Sequence, residues 1–107
     1  MSSKDTLPKS SRPATIRVKL RVFGELATVL GHNRTVELDQ ETAIIVLTNK
    51  IAEDAGLARK GYLGKYKVGG EDLAILVNGK NICLLDGTKT TLHDGDEVVI
   101  LPPTAGG

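Results

Sequence analysis

The spacing of apolar residues changes along the chain, and this change limits the folds available to it. Over Thr15–Val22 every second residue is apolar and three basic residues stand between them, which is the period of a strand with one buried face. Over Asp39–Ala55 apolar residues recur every four positions, as on an amphipathic helix. One such helix among several short strands predicts an α+β fold, in which the helix covers one face of a small mixed sheet.

Four more segments carry strand signals. Arg34–Leu38 alternates again and is predicted to pair back onto the first strand. Leu73–Val77 and Lys80–Leu85 flank Asn78-Gly79, which predicts a hairpin with a type I′ turn because both central residues of that turn need a positive φ. Glu97–Leu101 supplies a last apolar strand, which two prolines end.

Helix ends are also predicted from local residue types. Gly24–Leu30 is expected to form a short helical turn before Gly31. The side chain of Asp39 or Thr42 is expected to cap the main helix at its start, and Gly56 is expected to end it in a left-handed conformation.

The segment Leu57–Asp72 holds four glycines and is predicted to be a long mobile connection, inserted between the helix and the next strand. Within it, Arg59–Lys67 alternates basic and aromatic residues and contains a GxxG motif. Some RNA-binding modules clamp a nucleic-acid backbone with such a motif, where it joins two helices. Two interpretations therefore stand at this point: a solvated loop, and a small RNA-binding surface.

The chain has 107 residues and a formal net charge of +1, so it has room for one domain and no global excess of charge for a nucleic-acid or membrane surface. The first 21 residues hold six basic side chains against Asp5, whereas the remainder has eight basic and twelve acidic residues, a formal charge of −4. Cys83 is the single cysteine, which excludes an internal disulfide and favours a reducing compartment. No apolar run approaches the roughly 18 residues of a membrane span, so a cytoplasmic location is predicted.

The usual catalytic patterns are missing from the sequence. There is neither a GxxxxGK[ST] nor a GxGxxG phosphate loop. His32 and His93 lack metal-ligand spacing and are interpreted as surface residues, and Cys83 is interpreted as a small structural residue. The acidic group Asp94, Asp96 and Glu97 is interpreted as a solvated turn. No catalytic or metal site is predicted in this chain.

Both ends of the sequence have a composition unlike the body. Residues 1–14 are rich in Ser, Pro and Lys and are predicted to be a flexible lead, followed by a domain over residues 15–101. Residues 102–107 read PPTAGG, and side-chain bulk falls toward the end. Such a tail can enter a narrow tunnel on another protein, because glycine has no Cβ. The group delivered there would be the α-carboxylate of Gly107.

The last sixteen residues, Leu92–Gly107, closely resemble the pattern "L.DGDEV.I.PP.AGG" of the MoaD/ThiS family of ubiquitin-like proteins, which the archaeal small modifier proteins share. Val22–Leu26 is similar to the family's first strand and short helix. Leu76–Gly79 and Leu84–Gly87 are similar to its central hairpin. The resemblance implies a β-grasp fold, with a mixed sheet of four to five strands packed on one main helix.

The resemblance also implies a function. A ubiquitin-activating-type enzyme would use ATP and Mg²⁺ to adenylate Gly107, the site of covalent attachment, and the product would become a thiocarboxylate for molybdopterin synthesis or tRNA thiolation. The partners implied are that adenylating enzyme and a molybdopterin synthase large subunit or tRNA thiolation enzyme. The alternative within the family is a modifier conjugated through Gly107 to lysines of target proteins. In either case the chain is a carrier without an intrinsic cofactor, and its acidic body suits a basic partner. The residues expected to enter the partner's active site are Pro102, Pro103, Thr104, Ala105, Gly106 and Gly107.

Overall fold

A computed structural model describes residues 15–57 and 59–103. The predicted lead over residues 1–14 and residues 104–107 of the predicted tail lie outside the described residues. In chain order the elements are β1 (Thr15–Val22), a 3₁₀ turn (Gly24–Leu26) that runs into α1 (Ala27–Leu30), β2 (Asn33–Asp39), α2 (Ile44–Asp54), β3 (Tyr62–Leu63), β4 (Tyr66–Lys67), β5 (Ala74–Val77), β6 (Lys80–Asn81), two 3₁₀ turns (Ile82–Leu84 and Gly87–Lys89) and β7 (Glu97–Leu101).

Five of the strands form one mixed sheet in the order β2-β1-β7-β5-β6. β1 and β7 are parallel, with Leu20 opposite Val98 and Val22 opposite Ile100, and the other neighbours are antiparallel. The last strand therefore lies in the middle of the sheet. This arrangement confirms the α+β prediction and the four to five strands expected on one main helix.

The core lies between the inner face of this sheet and α2. Strand β1 buries every second side chain, as its alternation predicts. Each large apolar side chain removed from water contributes about 1.5–3 kcal/mol, so this layer supplies most of the driving force for folding. The fully buried members from the sheet and helix are Val18, Leu20, Ile44, Leu47, Ile51, Ile75, Val98 and Ile100.

The start of α2 differs from the prediction. Its N-cap residue is Ala43, which makes no side-chain capping hydrogen bond, and the Thr42 hydroxyl instead donates to the Asp39 carbonyl at 2.6 Å. The Ile44 amide donates to the Thr90 carbonyl at 2.9 Å, so a distant loop satisfies the first amide of the helix. The predicted end is correct: Gly56 follows the helix with φ of 81°.

The predicted mobile connection over Leu57–Asp72 is wrong for most of its length. β3 and β4 form a small antiparallel hairpin, and Leu63, Tyr66 and Val68 are buried on the core. These three buried side chains hold the segment against the body of the domain. A solvated loop would have no such buried contacts.

The Asn78-Gly79 turn has the two positive φ angles that its type requires, 52° and 87°. The strand after it is shorter than predicted, because β6 ends at Asn81 and Ile82–Leu84 forms a 3₁₀ turn. The Asn81 side chain accepts a hydrogen bond from the Cys83 amide at 3.0 Å and so ends the strand. None of the helices formed by the described residues combines the length and apolar character required to cross a membrane.

Candidate functional site

The root of the predicted tail is the end of β7. Val98 and Ile100 are fully buried, and the Phe23 amide donates a hydrogen bond to the Ile100 carbonyl at 3.0 Å. The chain then reaches the surface at Leu101, which is 36% exposed. β7 is paired on both sides, with β1 and with β5. The tail therefore leaves the body of the domain from a fixed position at the centre of the sheet.

Pro102 continues this anchoring beyond the strand. It is half-buried and packs against Gly24, where a Cβ would lie 2.9 Å from the Pro102 Cγ. Gly24 also has φ of +70°, a conformation that glycine adopts at little cost. Glycine is therefore required at this position for two reasons, and the 3₁₀ turn that it begins supports the first residue of the tail.

The structure describes two of the predicted tail residues. Pro102 lies against the body and Pro103 is exposed. Thr104, Ala105, Gly106 and Gly107 lie outside the described residues, so their assignment to a partner's active site, and that of Pro102 and Pro103, stays a prediction.

An apolar patch surrounds the tail root on the outer face of the sheet, which α2 does not cover. In one row across the sheet, Leu76 lies opposite Val99, and Val99 lies opposite Arg21. In the next row Leu101 lies opposite Ala74. Phe23 follows Val22, which lies opposite Ile100, and its amide donates to the Ile100 carbonyl, so Phe23 lies on the other side of Leu101. Phe23 is 42% exposed, and the apolar patch is made of Phe23, Ala74, Leu76, Val99 and Leu101.

The side chain of Arg21, on β1, borders the apolar patch. The Arg21 guanidinium lies 5.4 Å from the centre of the Phe23 ring and 3.6 Å from the Glu97 carboxylate. An exposed apolar centre with a charged rim is the usual composition of a protein-binding surface. The tail root and a surface suited to a protein partner therefore coincide.

The sequence reasoning missed the apolar patch and Gly24, although a signal for the patch was present. Glu97–Leu101 and Leu73–Val77 are nearly continuous apolar runs, whereas a strand with one wet face should alternate. With one helix available to cover one face, the surplus apolar residues had to remain on the other. The role of Gly24 depends on a contact with a residue far along the chain, and no local pattern reports it.

The acidic turn and the histidines have structural roles or lie at the surface. The Asp94 carboxylate accepts a hydrogen bond from the Arg17 amide at 2.8 Å, and Asp96 accepts one from the His93 amide at 2.8 Å. His32 and His93 are exposed. Within residues 15–57 and 59–103, no three His, Cys, Asp or Glu side chains are placed to hold a metal ion.

Cys83 is exposed, and its thiol donates a hydrogen bond to the Asn81 side-chain oxygen at 2.8 Å. Its amide donates to the same oxygen. These contacts show Cys83 as part of the turn that ends β6, in agreement with the structural interpretation.

Comparison with known proteins decides the family. The model of the ThiS family matches residues 20–107. This chain belongs to the ThiS family. A curated relative, small archaeal modifier protein 3 of Haloferax volcanii, is 34% identical over 97 residues, which cover 86% of this chain and 100% of the relative.

Solved structures confirm the β-grasp fold of this ThiS-family protein. The solution structure of small archaeal modifier protein 1 from Methanosarcina acetivorans is 27% identical, with a TM-score of 0.64, and the match covers 88% of this chain and 99% of that one. A chain in the complex of subunits 1 and 2 of the molybdopterin-converting factor from Helicobacter pylori is 28% identical, with a TM-score of 0.53, and the match covers 86% of this chain and 100% of that one. The ThiS-family protein is thus a small ubiquitin-like carrier or modifier and not an enzyme.

Proposed function

We propose that this protein is a sulfur carrier whose Gly107 carboxylate is adenylated by a ubiquitin-activating-type enzyme and then converted to a thiocarboxylate. The observation that carries the proposal is the tail root: β7 is fixed at the centre of the sheet, Pro102 packs on Gly24, and the apolar patch adjoins both. A partner that docks on the apolar patch would find the tail starting from a defined position. Docking and tail insertion would then be one binding event.

The chemistry explains why an activating partner is needed. A carboxylate is a poor electrophile, so its oxygen attacks the α-phosphorus of ATP and pyrophosphate leaves, which gives an acyl adenylate. The terminal sulfur of a persulfide then attacks the carbonyl carbon and AMP leaves. Cleavage of the remaining S–S bond by a thiol leaves the thiocarboxylate on Gly107 and a disulfide on the sulfur donor. ATP and Mg²⁺ act in the partner's site in this scheme.

The residues of this chain contribute recognition and position. Pro102 and Pro103 restrict the backbone where the tail begins, and an extended, restricted segment loses less conformational entropy when it enters a tunnel. The small residues after them would pass a constriction that larger side chains could not. In this scheme the reacting group that the chain supplies is the Gly107 carboxylate.

The acceptor of the sulfur is proposed to be molybdopterin synthase or a tRNA thiolation enzyme. Support for the first comes from the similarity to a chain in the complex of subunits 1 and 2 of the molybdopterin-converting factor. In that case the large subunit would use the same apolar patch as the activating enzyme, so the two partners would bind in turn.

A second function is favoured by the similarity to small archaeal modifier protein 3. In this function a lysine amine on a target protein attacks the activated Gly107 carbonyl and forms an isopeptide bond. The tail root and the activation step are common to both functions, and they differ only in the nucleophile.

Intact mass spectrometry of the protein and of its conjugates from its native cells tests these functions. Replacement of one oxygen by sulfur at Gly107 is expected for the carrier, and Gly-Gly remnants on lysines of other proteins are expected for the modifier. If neither product forms when the protein is incubated with the activating enzyme and ATP, both functions are wrong.

A further inference from the structure

The hairpin β3–β4 carries an unexpected concentration of positive charge. Residues 59–70 contain four basic side chains and no acidic one, whereas the rest of the chain after residue 21 has four basic and twelve acidic residues. The formal charge of −4 for this part of the chain therefore hides an uneven distribution. Residues 59–70 form this basic hairpin, whose charged side chains are Arg59, Lys60, Lys65 and Lys67.

The basic hairpin is firmly attached to the domain. Leu63, Tyr66 and Val68 are buried on the core. The Asn49 side chain on α2 accepts a hydrogen bond from the Gly61 amide at 3.0 Å, and the Val68 amide donates to the Gly61 carbonyl at 2.8 Å. A surface that is already ordered loses little entropy when a partner binds it.

The pairing of the two strands divides the hairpin into a buried and an exposed face. Leu63 lies opposite Tyr66 on the buried face, and Tyr62 lies opposite Lys67 on the exposed face. The Arg59 guanidinium lies 3.6 Å from the centre of the Tyr62 ring, a close cation–π contact that holds it in place. The exposed face therefore presents a positioned guanidinium, that of Arg59, on the same face as Lys67.

The basic hairpin also adjoins the tail root. The Lys65 ammonium lies 3.8 Å from the Glu25 carboxylate, and the Tyr66 hydroxyl donates a hydrogen bond to that carboxylate. Glu25 directly follows Gly24, against which Pro102 packs. A protein that takes up the tail would therefore approach the basic hairpin as well.

We propose that the basic hairpin is a docking surface for an acidic region of the enzyme that activates Gly107. This inference rests on the proposed function. It adds that the surface of the activating enzyme facing the hairpin is acidic. Guanidinium and ammonium groups bind carboxylates through charge-assisted hydrogen bonds, and opposite charges speed the encounter of two proteins. The acidic region would meet the basic hairpin while the apolar patch and the tail are engaged.

The environment of the two tyrosines favours a protein partner over RNA. Single-stranded RNA is bound largely by stacking bases on exposed aromatic rings. The Tyr66 ring is buried, and Arg59 covers one face of the half-buried Tyr62 ring. The charges of the GxxG segment remain available, whereas the stacking surfaces that RNA recognition needs are largely occupied.

The test is pyrophosphate exchange catalysed by the activating enzyme of the same organism, measured with the double variant Lys60→Glu and Lys67→Glu over a range of salt concentrations. We expect kcat/KM to fall about tenfold at low salt, the salt dependence to weaken, and kcat at saturation to stay unchanged. The matched control is Lys50→Glu with Lys80→Glu, which makes the same change in net charge at two exposed positions outside the hairpin. Lys50 faces the groove beside β2, and its double variant is expected to retain most of the wild-type kcat/KM.

Each outcome has one meaning. Absence of exchange with the wild-type protein contradicts the proposed function itself. Normal exchange with equal losses in both double variants, or no loss in either, overturns the docking surface alone. Binding of a single-stranded RNA oligonucleotide that the Lys60/Lys67 variant loses would assign the surface to nucleic acid and also overturn it. Should the double variant melt at a lower temperature than the wild type, Lys60→Gln with Lys67→Gln, which removes charge without reversing it, supplies the same comparison.

Discussion

Pro102 packs so closely on Gly24 that a Cβ at position 24 would lie 2.9 Å from the proline Cγ. The contact joins the first residue after β7 to the turn after β1. Gly24→Ala is expected to destabilise the protein by about 2–4 kcal/mol, which combines the left-handed φ with overpacking against Pro102. Urea-induced unfolding measures this loss.

Gly95→Ala is the matched control for this prediction. Gly95 has φ of +88°, and no atom within 4 Å would meet an added Cβ. Gly95→Ala is therefore expected to lower the free energy of unfolding by only about 1–2 kcal/mol, the cost of the left-handed backbone. Equal losses in the two variants would show that the Pro102 contact contributes nothing.

The Asn78 side chain connects the β5–β6 turn to β7. Its amide group donates to Asp96 at 2.9 Å, and its carbonyl oxygen accepts from the Glu97 amide at 3.0 Å. Asn78→Ala removes both hydrogen bonds and places alanine at a φ of 52°, so a loss of about 2–3 kcal/mol is expected in thermal unfolding. Asn78→Gly keeps the backbone conformation accessible and is expected to lose less. The reverse order would contradict the assigned role of the turn.

The Tyr66 phenol gives the protein a predicted pH dependence at high pH. Its pKa is raised above the ordinary value of 10.0, chiefly by the hydrogen bond to Glu25 and further by removal from water and by the charges of Glu25 and Asp72. A raised pKa in the folded state means that this contribution to stability is complete below pH 10 and is lost as pH rises through the folded pKa. Tyr66→Phe is expected to be less stable than the wild type at neutral pH, and the gap between them should narrow above pH 10.

Tyr62→Phe serves as the control, because its ring lies on the exposed face of the basic hairpin. Denaturant unfolding at several pH values measures the free energy of unfolding for all three proteins. A gap between the wild type and Tyr66→Phe that stays constant or widens above pH 10 would exclude the Glu25 hydrogen bond as its source.

Leu101 lies in the apolar patch at the tail root and is 36% exposed, whereas Leu84 is 78% exposed and lies in the 3₁₀ turn after β6. Leu101→Thr is expected to raise the KM for adenylation about tenfold, equivalent to about 1.4 kcal/mol of lost binding. Leu84→Thr removes a more exposed leucine and is expected to leave the KM unchanged. A larger increase in KM for Leu84→Thr than for Leu101→Thr would contradict docking at the apolar patch.

Deletion of Gly106 and Gly107 is expected to abolish adenylation and to leave the melting temperature nearly unchanged, because the end of the tail is predicted to add little to the core. Residues appended after Gly107 are expected to have the same effect, since they remove the carboxylate from its place. Pyrophosphate exchange and thermal unfolding measure the two quantities. A large drop in melting temperature would contradict a tail that is independent of the fold.

Residue periodicity predicted those parts of the fold in which one local pattern decides the structure. β1 and α2 have the spacing of one buried face, and the turn at Asn78 needs positive φ angles that few residues adopt. The hairpin β3–β4 was missed because glycines and lysines surround Leu63 and Tyr66, so its short strands have no detectable period. Its stability comes from contacts with distant elements.

The candidate site likewise has one part that the local sequence predicts and another part that depends on the assembled fold. The tail was predicted from its own residues, since the residue types and their order carry the signal, and its role stays a prediction. The apolar patch depends on which strands become neighbours, and Leu76 and Leu101 come together only in the sheet. The support of Pro102 by Gly24 is likewise a property of the assembled fold.

The central position of β7 has a consequence for the timing of folding. β7 is the last strand of the sheet in sequence, yet β1 and β5 are joined only through it. During synthesis β1 and β5 therefore cannot join one sheet until residue 101 has left the ribosome. Pairing of strands so distant in sequence is a slow step. A chain truncated before β7 would lack both the tail and the ordered surface beside it. An activating enzyme that must bind both features would therefore use ATP only on chains that are full-length and folded.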